Sequence, residues 1–296
     1  MSNLCKNRIV IITGAGKGLG RAHALAFSAE GATVIVNDID ELSAQAVVDK
    51  IQASGGTARI NNFDITNYQA CTEAIQDTVD TYGDLHVIVN NAGINRDRMF
   101  VSMTEDDWDT VMTVHLKGHF CLSSNAVRYW RTRSKAGYKV SGRIINTSSG
   151  AGLQGSVGQS NYAAAKAGIV ALTLNQAAEL ARYKVTANAI TPSARTSMTM
   201  AVPTMAERMK KPDNNSFDYW SAANVSPLLV WLGSEQSAHI SGKIFEAEGG
   251  KISIADGWRS TKGIDKGNRW QPTEIGSVMD KLLAKENPAQ PVYGAE

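Results

Sequence analysis

Cysteine, proline and net charge are all scarce in this chain, and each scarcity excludes a class of protein. Cys5, Cys71 and Cys121 are scattered and odd in number, without CxxC spacing, so they predict neither a disulfide framework nor a zinc ribbon. A reducing compartment, the cytoplasm, therefore fits the chain best. Only 7 prolines stand among 296 residues, which excludes collagen-like and disordered compositions.

Charge of one sign and long hydrophobic runs are also lacking. The 30 basic and 28 acidic residues leave a formal net charge of +2, too little for the broad positive field that binds nucleic acids or anionic membranes. No apolar run reaches the ~20 residues of a membrane span, and the amino terminus has no signal-peptide core. We therefore expect a small-molecule partner, without nucleic acid or membrane.

What the chain does contain is an alternation of β-branched runs and helical periodicity. Strands are expected at Arg8–Ile12, Thr33–Asn37, Ala58–Asp64, Leu85–Asn90, Gly142–Ser148, Lys184–Ala189 and Lys243–Ala247. Helices are expected at Leu19–Ala29, Glu41–Ala53, Tyr68–Tyr82, Glu105–Thr132, Asn161–Ala181 and Ala222–Leu232. The pattern predicts an α/β fold, a doubly wound Rossmann-type parallel sheet in three layers, with continuous apolar strands covered on both faces.

We expect a single domain over residues 1–296, with a core of about 5–250. Two segments depart from the alternation. The segment 198–219 follows a strand and is expected to cover the ligand crevice as a substrate loop. The C-terminal extension, about 255–296, carries a predicted helix at Thr273–Lys285, and we expect it to pack on this subunit or a neighbouring one.

A glycine-rich turn, TGAGKGLG, follows the first strand and leads into a helix. Glycines let the backbone turn sharply and approach a pyrophosphate, whose charge the helix N-terminus meets. Asp38 ends the next strand about 20 residues on, where an acid binds the hydroxyls of an adenosine ribose. The pattern predicts a dinucleotide site that includes Gly14, Lys17, Gly18, Leu19, Gly20 and Asp38.

Two charges in this site favour different dinucleotides. Asp38 would repel a ribose 2′-phosphate and favours NAD, whereas Lys17 would attract that phosphate and favours NADP. We favour NAD, because the acid has a fixed geometric role while Lys17 can simply be solvated. Asp64, with Ile65 beside it, is a candidate for contact with the adenine edge, or else an acid at a helix N-terminus.

Three further residues form a candidate catalytic set. The strand GRIINTSS delivers Ser149 to the cofactor edge, and Tyr162 and Lys166 follow in NYAAAKAG. An i, i+4 spacing places the phenol and the ammonium on one helix face. A cation beside a phenol stabilises phenolate, so the tyrosine becomes a usable acid or base near neutral pH. The serine hydroxyl can then hold a substrate oxygen.

These motifs, together with NNAG at Asn90–Gly93, resemble the short-chain dehydrogenase/reductase family over roughly residues 5 to 250. The resemblance implies hydride transfer between NAD(P) and a secondary alcohol or ketone. It implies that Tyr162 exchanges the hydroxyl proton, that Lys166 binds the nicotinamide ribose and lowers the pKa of the tyrosine, and that Ser149 positions the carbonyl. It also implies that Asn91, Ala92 and Gly93 line the adenosine side.

Two positions depart from the family pattern. His115 stands where most members carry a proton-relay Asn. Its imidazole could relay a proton and add a titration near pH 6.5, or it could be a buried structural histidine. Pro192-Ser193 replaces the usual Pro-Gly, and Thr196 after it is a candidate cofactor contact.

Several stretches resemble a subgroup of the family, the hydroxyacyl-CoA dehydrogenase part of peroxisomal multifunctional β-oxidation enzymes and bacterial steroid-catabolic relatives. They are RAHALAFSAEGATVIVND, VHLKG, SPLLVWL and GKIFEAEGG. The resemblance implies a 3-hydroxyacyl-CoA or a hydroxysteroid as substrate, and a homodimer or homotetramer. The alternatives are an NADPH-dependent 3-oxoacyl reductase and a catalytically idle dinucleotide-sensing scaffold. The other histidines show no metal-ligand spacing, so no metal is expected.

Overall fold

A computed structural model describes residues 3–213, 216–255, 257, 260, 262–284 and 290–295. The strands are β1 Ile9–Thr13, β2 Thr33–Asn37, β3 Thr57–Ile60, β4 Val87–Asn90, β5 Gly142–Thr147, β6 Val185–Ser193, β7 Ile244–Glu248 and β8 Lys251–Ile254. The helices are α1 Gly18–Ala29, α2 Glu41–Ala53, α3 Tyr68–Tyr82, α4 Glu105–Met112, α5 Gly118–Lys135, α6 Gly150–Gln154, α7 Ser160–Leu180, α8 Ser197–Met200, α9 Pro203–Arg208, α10 Ser226–Gly233 and α11 Ile275–Leu283. Among the described residues, no helix is long and apolar enough to span a membrane.

All eight strands belong to one sheet, in the order β3-β2-β1-β4-β5-β6-β7-β8. One face of the sheet packs on α1 and α10 through side chains such as Phe27 and Leu229. The other face packs on α5 through Leu122 and Trp130. Strands covered on both faces must be apolar throughout, and β1, IVIIT, is buried at every position. The predicted doubly wound α/β fold is confirmed.

The strand order reverses between β1 and β4, which are neighbours in the sheet. In doubly wound sheets the ligand crevice opens beyond the carboxyl ends of the strands at this reversal. The glycine turn follows β1, the NNAG motif follows β4, and Ser149 follows β5. The topology therefore brings the predicted site segments to one edge.

The sheet departs from the prediction at both of its outer strands. β3 ends at Ile60 instead of Asp64, because the Asn37 amide takes the carbonyls of Asn61 and Phe63 that would otherwise continue the ladder. β8 was not predicted and pairs antiparallel with β7. The turn between them is Gly249–Gly250, a sequence typical of tight hairpins.

The predicted helix Glu105–Thr132 is interrupted. α4 and α5 are separated by a π-helical turn over Thr113–Lys117, which contains His115, and α5 continues to Lys135. A π turn inserts one extra residue into a helix and re-aims the side chains that follow. Periodicity alone cannot reveal such a turn, since the apolar stripe continues on both sides.

The remaining helices differ mainly at their starts. The predicted helix Ala222–Leu232 begins as a 3₁₀ turn, and α10 starts only at Ser226, with Pro227 in its first turn, where the missing N–H costs nothing. In the extension, a 3₁₀ turn at Pro272–Glu274 precedes α11, and Lys285, the predicted end, lies outside the described residues. The short helices α6, α8 and α9 were not predicted.

Candidate active site

The glycine turn after β1 is shaped for close approach of backbone to a ligand. Gly14 and Gly18 have φ values of +61° and +51°, which disfavour any residue with a side chain. A Cβ on Gly14 would lie 2.8 Å from Cα of Ala92, and a Cβ on Gly20 would lie 2.1 Å from the Gly14 carbonyl oxygen. Because α1 starts at Gly18, its unpaired N–H groups face this turn, so the residues fit a pyrophosphate. Leu19 instead packs, partly buried, against the core.

The two charges that favour different dinucleotides are separated in the structure. Asp38 Oδ2 accepts a hydrogen bond from the Gly16 N–H at 2.9 Å, so its carboxylate lies on the glycine turn. Lys17 turns away and donates to Asp40 Oδ2 at 2.7 Å. Asp40 raises the pKa of the Lys17 ammonium, and Lys17 together with Ser43 holds the pKa of Asp40 well below its usual range.

The NNAG motif ties the end of β4 to the glycine turn. Asn91 Nδ2 donates to the Thr13 and Gly14 carbonyl oxygens at 2.9 and 3.2 Å. The N–H groups of Asn91 and Ala92 donate to Thr13 Oγ1 at 3.0 and 3.1 Å. Gly93 packs on an imidazole, since a Cβ there would lie 2.2 Å from Cε1 of His115. The motif therefore positions the turn as well as bordering the cleft.

The three candidate catalytic side chains meet at the carboxyl end of β5. Ser149 caps α6, and its Oγ accepts from the Ala151 N–H at 3.2 Å. Lys166 is 2% exposed; its Nζ donates to the Thr147 carbonyl oxygen at 2.6 Å and lies 5.4 Å from the ring centroid of Tyr162. Burial lowers the pKa of Lys166 to about 7.

Tyr162 is held between Ser149 and His115. Burial raises the pKa of its phenol, and a hydrogen bond with Ser149 opposes that rise. This direction differs from the sequence-based expectation of a lowered pKa, because the penalty of burying a phenolate outweighs the stabilisation by Ser149. Asn161, missed in the sequence, is fully buried; its Nδ2 donates to the Arg96 and Asp107 carbonyl oxygens at 3.0 and 2.9 Å and fixes the start of α7. Its place just before the tyrosine at a helix start was the available signal.

His115 lies under the cleft and is 1% exposed. Its Nε2 is 2.7 Å from the Ile94 carbonyl oxygen and 3.1 Å from the Ile94 N. Its ring stands edge-on to Tyr162, with 5.2 Å between centroids. Burial, reinforced by the Lys166 charge, lowers the pKa of His115 to about 3. The imidazole is therefore neutral at physiological pH, without the titration near pH 6.5 considered from the sequence.

The other predicted cofactor residues are placed unequally. Asp64 is exposed and closes a turn by accepting from the Thr66 N–H and hydroxyl, and Ile65 is buried with its Cδ1 against Gly118. Thr196 caps α8 and lies beside the glycine turn, since its Cγ2 is 3.4 Å from a Cβ placed on Gly18. Thr196 therefore borders the glycine turn, Ile65 is used in packing, and the contact of Asp64 with an adenine stays a prediction.

The two ends of the segment 198–219, the predicted substrate loop, are joined by an ion pair that sequence reasoning missed, and we call this place the loop neck. The Arg195 guanidinium forms an ion pair with both carboxylate oxygens of Asp218, and its Nη1 also donates to the Met209 carbonyl oxygen at 2.9 Å. The Arg195 N–H donates to the Trp220 carbonyl oxygen at 2.7 Å. No motif announces this pair, because its members are 23 positions apart.

A glycine turn, an acid at the end of β2 and a Ser–Tyr–Lys set on one sheet edge together define an α/β oxidoreductase of the dinucleotide-dependent class. Among the described residues, no group of three or more His, Cys, Asp or Glu side chains could hold a metal ion. The chain belongs to the short chain dehydrogenase family, whose pattern matches residues 8–207. Members of that family use NAD or NADP.

Two curated relatives and one solved structure illustrate the similarity. The chain is 41% identical over 290 residues to hydroxyacyl-CoA dehydrogenase ChsB1 of Mycobacterium tuberculosis, covering 96% of this chain and 90% of that protein. It is 37% identical over 294 residues to peroxisomal multifunctional enzyme type 2 of Mus musculus, covering 96% of this chain and 38% of that protein. A crystal structure of a short chain dehydrogenase from Mycobacterium avium shares 52% identity, with a TM-score of 0.90, over 99% of this chain and 100% of that one. The predicted family and subgroup resemblance is confirmed.

Proposed function

We propose that the protein oxidises the hydroxyl of a 3-hydroxyacyl-CoA or a hydroxysteroid with NAD. The observation that carries this proposal is the convergence of Ser149, Tyr162 and Lys166 at the carboxyl end of β5, beside the glycine turn. The same groups oppose an idle dinucleotide sensor, which would need no buried ammonium beside a buried phenol. The names of the relatives support the acyl-CoA substrate.

The cofactor would be held by residues on both sides of the strand reversal. Gly14, Gly18 and Gly20 would cradle the pyrophosphate, Asp38 would bind the adenosine ribose, and Lys166 the nicotinamide ribose. The bound nicotinamide supplies the hydride acceptor for the carbinol carbon. Asn91 and Ala92, at the end of β4, complete the border of this half.

The protein side chains handle the proton and the oxygen. Ser149 Oγ donates to the substrate oxygen. Tyr162, whose raised pKa favours the phenol, takes the hydroxyl proton after its own proton has left. Lys166, with a pKa lowered to about 7, exchanges protons near neutral pH and passes this one towards solvent. His115 stays neutral; it holds the Ile94 main chain and packs against the Tyr162 ring, so its part is positioning.

The positions of Asp38 and Lys17 both favour NAD over NADP. Asp38 stands on the glycine turn with a negative charge, and Lys17 is occupied by Asp40. A ribose 2′-phosphate would meet the first charge without help from the second. Titrating the purified protein with NADH and NADPH separately tests this preference, and tighter NADPH binding would support the 3-oxoacyl reductase instead.

The substrate class is tested by turnover. We expect NADH to form when the protein and NAD are mixed with a 3-hydroxyacyl-CoA or a 17-hydroxysteroid, and absorbance of the reduced nicotinamide measures it. Turnover of only one of them selects that branch of the proposal. Silence with both, in a protein that binds NADH, would refute the proposed substrate class and leave the family membership intact.

We further propose a homodimer or homotetramer. Trp108, Phe120 and Leu174 lie on α4, α5 and α7 and are 37, 49 and 48% exposed. Large apolar side chains at this exposure on neighbouring helices favour burial against a second copy. Light scattering tests this assembly, and a monomer at micromolar concentration would contradict it.

The three buried free thiols support the proposal that the protein works in a reducing compartment, the cytoplasm.

A further inference from the structure

The carboxyl-terminal segment, residues 290–295, is tied to the loop that follows the catalytic serine. The Val157 N–H donates to the Tyr293 carbonyl oxygen at 2.8 Å, and the Tyr293 N–H donates to the Gly155 carbonyl oxygen at 3.3 Å. Ser156 and Tyr293 thereby form a parallel β bridge. These main-chain bonds place the segment along the loop 155–157.

The phenol of Tyr293 rests directly on Gly150, the residue after Ser149. A Cβ placed on Gly150 would lie 2.7 Å from the phenol oxygen and 2.9 Å from Cε2 of Tyr293. Real Cβ atoms do not approach so closely, so the ring reaches this position only because residue 150 is glycine. Gly150 is the first residue of α6, and a Cβ added there would displace the Tyr293 ring.

Tyr293 also lies near the substrate loop and the end of β7. Burial raises the pKa of its phenol, Glu246 and Glu248 raise it further, and Arg208 of α9 opposes them. The Arg208 guanidinium in turn stands over the Trp220 ring, 5.1 Å from the centroid. The ring of Tyr293 thus contacts the serine turn and lies within electrostatic range of Arg208, Glu246 and Glu248.

Two valines beside Tyr293 add apolar surface to its ring. Tyr293 is 49% exposed, and Val292 and Val157 beside it are 41 and 45% exposed. Val292 packs on Gly155, since its Cγ1 lies 3.3 Å from a Cβ placed there. These side chains expose hydrophobic surface next to the catalytic serine. Burying that surface against an apolar ligand is favourable.

We propose that Tyr293 forms the outer wall of the substrate cleft beside Ser149 and selects substrates that carry a bulky apolar group. The inference rests on the proposed function and deepens it, since it names the part of the substrate that Tyr293 contacts. A tyrosine suits this role because its rigid ring offers a large contact area at little cost in conformational entropy. A small acyl group would not extend to the wall, whereas a long chain or a ring system would pack on it.

The test compares a short-chain with a long-chain 3-hydroxyacyl-CoA at saturating NAD in four proteins: wild type, Tyr293→Ala, Tyr293→Phe and Gly150→Ala. We expect Tyr293→Ala to raise KM for the long-chain thioester about tenfold, with kcat and the short-chain KM changed less than about twofold. Gly150→Ala should act like Tyr293→Ala, because the added Cβ displaces the ring. Tyr293→Phe should behave like wild type, since the ring and not the hydroxyl forms the wall.

Tyr138→Ala is the matched control. Tyr138 is 57% exposed and lies between α5 and the start of β5, so it is at the opposite edge of the sheet from Ser149. Its truncation should change neither KM. Equal losses with both thioesters in Tyr293→Ala, or a fall in kcat at unchanged KM, would overturn the proposal, because Tyr293 would then only support the serine turn.

Two readouts separate this proposal from the proposed function. Hydrogen exchange over residues 150–158 needs no turnover: Gly150→Ala should speed exchange of the Val157 amide, and unchanged exchange would refute the seating of Tyr293. If the wild type oxidises neither thioester, the proposed function fails. The role of Tyr293 is then tested by calorimetric measurement of long-chain acyl-CoA binding. Equal affinity of wild type and Tyr293→Ala would then overturn it.

Discussion

The proposed cofactor half and the proposed substrate half of the cleft are built by different means. In the cofactor half, Asn91 and Thr13 join two buried strand ends through short hydrogen bonds to main chain. In the substrate half, one ion pair, Arg195–Asp218, closes the loop neck, and the nearby aromatic side chains are partly exposed. Loops on a rigid scaffold can change without disturbing it. The contrast predicts that substitutions in the proposed substrate half leave the cofactor half intact.

The largest effect should come from the residue between the two halves. We expect Tyr162→Phe to lower kcat about 10³-fold, because the proton has no acceptor at the substrate oxygen. NADH binding, measured by fluorescence, should change less than about twofold, because the ring still packs against His115. Tyr138→Phe is the control. Retention of a tenth of the activity would refute the assigned role.

The cofactor half can be broken at Asp38. We expect Asp38→Ala to weaken NADH binding about tenfold to hundredfold, since a charged hydrogen bond contributes about 1.5–3 kcal/mol. Asp40→Asn is the matched variant: it releases Lys17, so NADPH binding should improve while NADH binding stays the same. Calorimetry measures both. An NADH affinity unchanged in Asp38→Ala would show that the acid does not contact the ribose.

We expect low pH to lower the free energy of unfolding through two buried histidines. His115 and His23 are buried with pKa values lowered by burial to about 3, whereas the unfolded residues titrate near 6.5. Below pH 6.5 the unfolded state binds more protons, so stability is full above that pH and is lost as pH falls towards 3. Each histidine should cost about 2 kcal/mol of unfolding free energy between pH 7 and pH 5. Urea titrations at the two pH values check this, and His115→Asn should reduce the loss by about one such increment.

We expect substrate binding to depend on the Arg195–Asp218 ion pair at the loop neck. We expect Arg195→Ala to raise the substrate KM about fivefold, the equivalent of about 1 kcal/mol for a partly exposed ion pair. NADH binding should be unaffected. The exchanged pair, Arg195→Asp with Asp218→Arg, should recover part of the loss. A KM that moves equally in the single and the exchanged variants would show that charge pairing is not what closes the neck.

Prediction from the sequence worked best where the placement of residues depends on local spacing. The glycine turn, Asp38 and the set Ser149, Tyr162 and Lys166 were all named from motifs, and the structure brings them to one sheet edge. Prediction failed where a side chain intervenes from elsewhere. Strand β3 stops early because Asn37 captures its carbonyls, and the long helix breaks at the π turn whose His115 binds Ile94.

The sequence by itself determined the alternation of the main strands and helices, the glycine turn and the residues available at the end of β5, because each depends on residues a few positions apart. Only the tertiary structure decided that Lys17 is paired with Asp40, that His115 is neutral, and that Tyr293 lies on Gly150. Those outcomes depend on burial and on contacts between distant parts of the chain. No local pattern of residues carries that information.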